Sequence, residues 1–183
     1  MTVFFVRSTI HSILVILYLY SVGCSSNDET IVENRSNLGI PFSLDEFSNQ
    51  LIDSNGQSVS TNSIAGKTLG IYFSAHWCPP CRTFTPKLVE FRDQNSEDFE
   101  VVFVSSDGSQ EEQFKYMKEA EMKWLTLPNG SKTGSLLSEK FDVKGIPTLV
   151  IISCDGKVLT TNGRGEITSK PDSAMSKWNN SSS

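Results

Sequence analysis

From about residue 68 onward, short continuous apolar runs alternate with stretches whose apolar residues recur every three or four positions. Thr68–Phe73 is a run long enough for a buried strand. Pro79–Asp93 carries Phe84, Leu88 and Phe91 at helical spacing, with Pro86 inside, where a missing N–H and a ring clash predict a kink. Glu100–Ser105 is β-branched and aromatic, a central strand. A second helix is predicted from Ser109 to about Glu121. Ser109 and Glu112 form its capping box, and Phe114, Met117 and Ala120 face inward as core. Ser135–Phe141 reads as a short helix. Gly145–Ile152 reads as a strand opened by a proline, followed by an Asp155-Gly156 turn and an antiparallel partner, Lys157–Thr161. Upstream, Leu51–Val59 reads as a hairpin around Asn55-Gly56, and a helical turn capped near Ser60 or Thr61 ends at Gly66. A polar part ends at Trp178, and residues 179–183 read as a disordered tail. Strand, helix, strand, helix and hairpin in that order predict an α/β fold with a mixed sheet.

The N-terminus differs. Residues 1–23 hold one arginine, Arg7, no acidic residue, and an apolar stretch from Ile10 to Tyr20 broken only by His11 and Ser12. That is the pattern of an export signal, short of the roughly 20 apolar residues of a membrane span. The alternative is an uncleaved anchor. Gly23-Cys24 resembles a bacterial lipoprotein cleavage box, with Ser21 where that box usually has leucine. Cys24 is therefore a lipidation candidate and a membrane attachment point, with plain secretion and a spare thiol as the other reading. Residues 24–38 read as a polar tether and 39–178 as the folded domain. The expected location is exported, as a periplasm-facing lipoprotein or else secreted or periplasmic.

At 183 residues, 38% hydrophobic and 20% charged, the chain can build one core. A formal charge of −5 with scattered lysines and arginines excludes a nucleic-acid surface. A monomer is expected. Four cysteines separate by context: Cys24 in the export segment, Cys78 and Cys81 as a pair, and Cys154 as a lone thiol entering the Asp155-Gly156 turn. Structural zinc needs four ligands and no second cysteine pair exists, so no metal site is expected.

The chemistry concentrates in Trp77-Cys78-Pro79-Pro80-Cys81-Arg82, between a predicted strand and a predicted helix. Two cysteines at that spacing can close a small disulfide. At a helix start, free N–H groups and the helix dipole favour an anion, so a thiol pKa can fall from about 8.5 to roughly 3.5–7.5. His76, otherwise a candidate base, reads as a surface loop residue at the rim, and Arg82, otherwise a candidate for steering an acidic partner or stabilising the thiolate, as a solvated helix position. Trp124 reads as packing.

With Tyr72–Arg82, Phe84-Thr85-Pro86, Glu100–Asp107, Trp124–Pro128 and Gly145–Leu149 in place, the chain resembles the thioredoxin superfamily, in its nucleoredoxin and tryparedoxin branch, from about Ile40 to Trp178. The resemblance implies a thioredoxin-like three-layer fold, a mixed central sheet flanked by helices. It implies Cys78 as the attacking and Cys81 as the resolving cysteine, with no cofactor beyond their disulfide. It implies a cis Ile146–Pro147 bond beside the site, and Trp77, Pro79, Pro80, Arg82, Ile146 and Pro147 as supporting residues. The implied activity is reduction of protein or small-molecule disulfides, recharged by an external thiol donor. The alternatives are a thiol oxidase or isomerase of the same fold, or a non-catalytic peptide-docking module. Two departures stand out: Tyr72 lies where thioredoxins proper carry a buried aspartate, and Thr83 where this branch often has glycine.

Overall fold

Seven residues, Thr68–Ser74, form strand β1, and all seven are buried. In the computed structural model, which describes residues 41–181, β1 lies at the centre of a five-stranded sheet. Its parallel neighbour is β2, Phe99–Ser105, and its antiparallel neighbour is β4, Thr148–Ile152. β3, Leu125–Thr126, flanks β2 in parallel, and β5, Val158–Thr160, closes the other edge against β4. The register sets Tyr72 between Phe103 and Leu149, and Ser74 opposite Ser105.

Period-two alternation sends the side chains of these strands into two cores. Tyr72, Phe99, Val101, Phe103, Leu149 and Ile151 share one with α1, Pro79–Gln94, and α2, Gln110–Glu119. Leu69, Ile71, Phe73, Val102, Val104, Val150 and Ile152 share the other with α3, Lys132–Lys140, and with Phe47 and Ile64 from two short 3-10 turns. A strand covered on both faces reads as a continuous apolar run, which is why β1, β2 and β4 were visible in the sequence.

The hairpin at Asn55-Gly56 forms, with an isolated antiparallel bridge between Ile52 and Ser58, and Ser60 caps the 3-10 turn after it. α1 continues through Pro86, which faces solvent. Inside α2, Met117 is buried as expected and Phe114 and Ala120 pack partly buried against the core, while Gln113 and Tyr116, not expected there, are buried too. Gln113 is held inside by hydrogen bonds, its amide donating to Leu127 O at 2.9 Å and to Thr126 Oγ1. β3 has two residues, too few to show a period.

Two helices were not foreseen. α4, Gly163–Ser169, and α5, Pro171–Ser181, fold back onto α1's side of the sheet. A Cβ at Gly163 would lie 2.8 Å from Ile151 Cδ1, so glycine lets α4 seat directly on β4. Trp178 packs between Phe91 and Phe99, with centroids at 5.5 and 5.7 Å. The tail expected from residue 179 is helical to Ser181, whose carbonyl accepts from Lys157 Nζ at 3.0 Å.

Cys154 is a second correction. It is engaged, not a lone thiol, and is half-buried in a pocket that Pro41, Phe42 and Ser153 also line, where Phe42 N–H donates to Gly156 O. Gly156 has φ +85°, and a Cβ there would collide with the Phe42 carbonyl. The export segment 1–23, Cys24, the tether and the first residues of the domain lie outside the described residues. Among those described, no helix is long and apolar enough to cross a membrane.

Glu166 locks α4 to α5, accepting from Trp178 Nε1 at 2.7 Å and pairing with Lys177 Nζ at 2.9 Å. Burial raises its pKa, but the bonds from Lys177 and Trp178 outweigh that and leave it lowered. A carboxylate with a depressed folded pKa adds stability above its unfolded pKa and loses it as pH falls through the folded one. Glu166→Gln should therefore cost about 1–2 kcal/mol near neutral pH, the worth of hydrogen bonds to a charged group. Denaturant titrations should show that gap closing below about pH 4.

Candidate active site

β1 ends at Ser74 and α1 begins at Pro79, so the loop between them delivers Cys78 to the helix N-terminus as its capping residue. Pro79 and Pro80 fill the first two helical positions and have no N–H to satisfy. The first N–H available is that of Cys81, and it donates to Cys78 Sγ at 3.3 Å. Arg82 N–H then closes onto Cys78 O at 3.1 Å. The two sulfurs are joined in a disulfide, with Cα atoms 5.2 Å apart. Once the disulfide is reduced, the same N–H and the helix dipole would stabilise a thiolate on Cys78.

Cys81 is fully buried, and Cys78, although it caps the helix start, is only 4% exposed. Ala75 and Ile146 pack over the pair. Ile146 O lies 3.8 Å from Cys78 Sγ, and the Ile146–Pro147 peptide is cis. Pro147 is buried and Ile146 half-buried. Trp77 stands out, 63% exposed, with its indole N–H donating to Ser106 O at 3.1 Å. Pro79, Pro80 and Arg82 are exposed around the opening. Arg82 is a solvated helix position, as expected. His76 is less solvated than expected: its ring stacks on Tyr116 at 5.3 Å, and Nε2 lies 3.1 Å from Glu119 Oε2.

Behind the pair, where thioredoxins proper carry a carboxylate, a cluster of hydroxyls is buried. Thr85 Oγ1 donates to Cys81 O at 2.9 Å, so the hydroxyls of Tyr72 and Tyr116 both donate to Thr85, at 2.8 and 2.6 Å. Ser74 Oγ lies 3.5 Å from Tyr116 OH. Burial pushes the Tyr72 phenol well above its usual range, so it stays protonated at any ordinary pH. Trp124 packs edge-on to Tyr72 in the core, as expected.

Thr85, Tyr116, Ser106 and Asp107 were missed as site residues. Thr85, Ser106 and Asp107 lie within the stretches that carry the family likeness, and helical phase puts Thr85 one turn after Cys81. Tyr116 and Asp107 reach the site from α2 and from the β2–α2 loop, contacts between elements that no local pattern reports. Among the described residues, no cluster of three or more histidine, cysteine or acidic side chains could hold a metal ion.

A family profile described as thioredoxin-like matches residues 66–158. Nucleoredoxin of Danio rerio is 38% identical over 165 residues, covering 86% of this chain and 39% of the relative. The chain thus spans well under half the length of that nucleoredoxin. Tryparedoxin of Trypanosoma brucei brucei is 41% identical over 134 residues, covering 71% of this chain and 91% of the relative. A solved tryparedoxin II complexed with glutathionylspermidine superposes with a TM-score of 0.64 at 38% identity, over 71% of this chain and 92% of that one. With a matching profile, a relative covered over nearly its whole length and an oxidised Cys-Pro-Pro-Cys pair at the helix start, the chain belongs to the thioredoxin-like family and is similar to its tryparedoxins and nucleoredoxins.

Proposed function

We propose that the protein reduces disulfides of proteins or small molecules by a Cys78–Cys81 cycle that an external thiol donor recharges. The observation that carries this reading is the hydrogen bonding of the pair: both cysteines are buried, but it is Cys78 Sγ that receives the Cys81 N–H at the helix start. As a thiolate, Cys78 attacks one sulfur of the substrate disulfide, forming a mixed disulfide and releasing the other sulfur as a thiol. Cys81, giving up its proton, attacks Cys78 Sγ and frees the second substrate sulfur. Two electrons have then passed to the substrate, and the Cys78–Cys81 disulfide awaits two from the donor. A relative complexed with glutathionylspermidine supports a small thiol as that donor. An extended substrate strand would lie against the backbone at Ile146, beside the cis Pro147, as in strand addition. Trp77 is the exposed apolar contact on that docking face.

We further propose that the protein works outside the cytoplasm, held to a membrane by lipid on Cys24. The apolar stretch Ile10–Tyr20 after Arg7, and the small residue before Cys24, support this. One acyl chain binds a membrane only marginally, so firm attachment needs several on that cysteine.

Three measurements test these readings. Cys78→Ser should abolish turnover of a disulfide substrate, and Cys81→Ser should accumulate a mixed disulfide visible as a mass increase. Full turnover by the Cys78→Ser protein would sink the assignment. The midpoint potential in a dithiol buffer should fall near that of a reductase, roughly −270 mV; a value near −120 mV would make the protein an oxidant. Cys24→Ala should shift the protein from membrane to soluble fractions, and unchanged fractionation would count against the lipid anchor.

A further inference from the structure

The loop that carries Cys78 is tied at several points to one neighbour, the turn after β2. Ser106 N–H donates to Ser74 O at 2.9 Å, and Trp77 Nε1 donates back to Ser106 O. Between these bonds sits the Asp107 carboxylate, 7% exposed. Its Oδ1 accepts the His76 backbone N–H at 2.8 Å, and its Oδ2 accepts the Ser105 hydroxyl at 2.7 Å. Asp107 N–H donates to Ser105 Oγ at 2.9 Å, so the carboxylate is braced within its own turn. Asn129 braces the Asp107 main chain from a third segment, its Nδ2 donating to the Asp107 backbone carbonyl at 3.0 Å while its N–H donates to Gln110 Oε1 at 2.8 Å.

A buried carboxylate persists only where donors face it, and here one of the two is a main-chain N–H two residues before Cys78. No regular strand or helix holds residues 75–77, so this N–H has no ladder partner to fall back on. We propose that Asp107 is a positioning residue for Cys78. By clamping His76 it fixes the entry of the chain into α1, and so holds Cys78 Sγ over the N-terminus of that helix. The proposal rests on Cys78 being the attacking cysteine.

The test is alkylation of the fully reduced, full-length protein by iodoacetamide at pH 7, with the sites read by peptide mass spectrometry. Asp107→Ala leaves the His76 N–H without its acceptor, and Cys78 alkylation should slow about tenfold. Asp107→Asn keeps an acceptor for that N–H and a partner for Ser105, and should recover to within about threefold of wild type. Removal of a nearby negative charge would by itself favour the thiolate and speed alkylation, so slowing with recovery by asparagine separates clamping from charge. A wild-type rate in a folded Asp107→Ala protein overturns the proposal. An asparagine variant as slow as the alanine one also overturns it. If Asp107→Ala does not fold, Ser105→Ala, which loosens the carboxylate without removing it, decides: two- to threefold slowing supports the clamp and an unchanged rate refutes it. First alkylation at Cys81 would instead refute the Cys78-first cycle, whatever Asp107 does.

Discussion

With Pro79 and Pro80 in its first two positions, α1 has a single N–H available to cap its first turn, and that N–H reaches a sulfur. In most helices a serine or aspartate oxygen takes this place. Here the capping atom is the reactive one, so the start of the helix and the chemistry of the site are one arrangement. The prolines do more than stiffen the segment. They remove two competing donors and pre-set the backbone for helix, which commits the remaining N–H to Cys78. This geometry needs α1 to begin where it does, and β1 fixes that point. A strand buried on both faces between β2 and β4 cannot slide by one residue without exchanging its two cores.

The sequence carried this central part in the open. β1, β2 and β4 are buried on both faces and so appear as unbroken apolar runs. The buried face of α1 repeats as Phe84, Leu88 and Phe91. The paired cysteines announced themselves by spacing. What stayed hidden depends on distance. α4 is short and polar, and its seating relies on the absence of a side chain at Gly163. α5 has Ala174 and Trp178 as its fully buried residues, too sparse a face to stand out. Gln113 and Tyr116 look like solvent-facing polar positions by composition, yet hydrogen bonds to β3 and to Thr85 make them core. Residues of that kind go inside only because a partner from another element is waiting there.

The site shows the same division. Cys78 and Cys81 were legible because their chemistry lies within one hexapeptide. Asp107 lies in a stretch that carries the family likeness, but in Ser105-Ser106-Asp107-Gly108 it also looks like an ordinary turn aspartate. Its acceptor role exists only because the β1–β2 register sets Ser74 opposite Ser105 and so brings the two following loops side by side. His76 likewise turned from a solvated rim residue into a stacked and paired one because Tyr116 and Glu119, on successive turns of α2, meet it.

The wall behind Cys81 then bears on how the second half of the cycle can run. In thioredoxins proper a buried carboxylate occupies the place of Tyr72. A phenol held well above its usual pKa by burial cannot take a proton near neutrality. Thr85 has its proton on the Cys81 carbonyl and both lone pairs occupied by the phenols, so it has no acceptor site left, and the cluster is uncharged. Such a wall organises the first turns of α1 without competing for protons. It also avoids the desolvation cost of a second buried anion beside a forming thiolate. In the proposed cycle the proton that leaves Cys81 would therefore exit toward the open side beside Trp77. In that cycle the leaving thiolate, released as Cys81 attacks, would take it up.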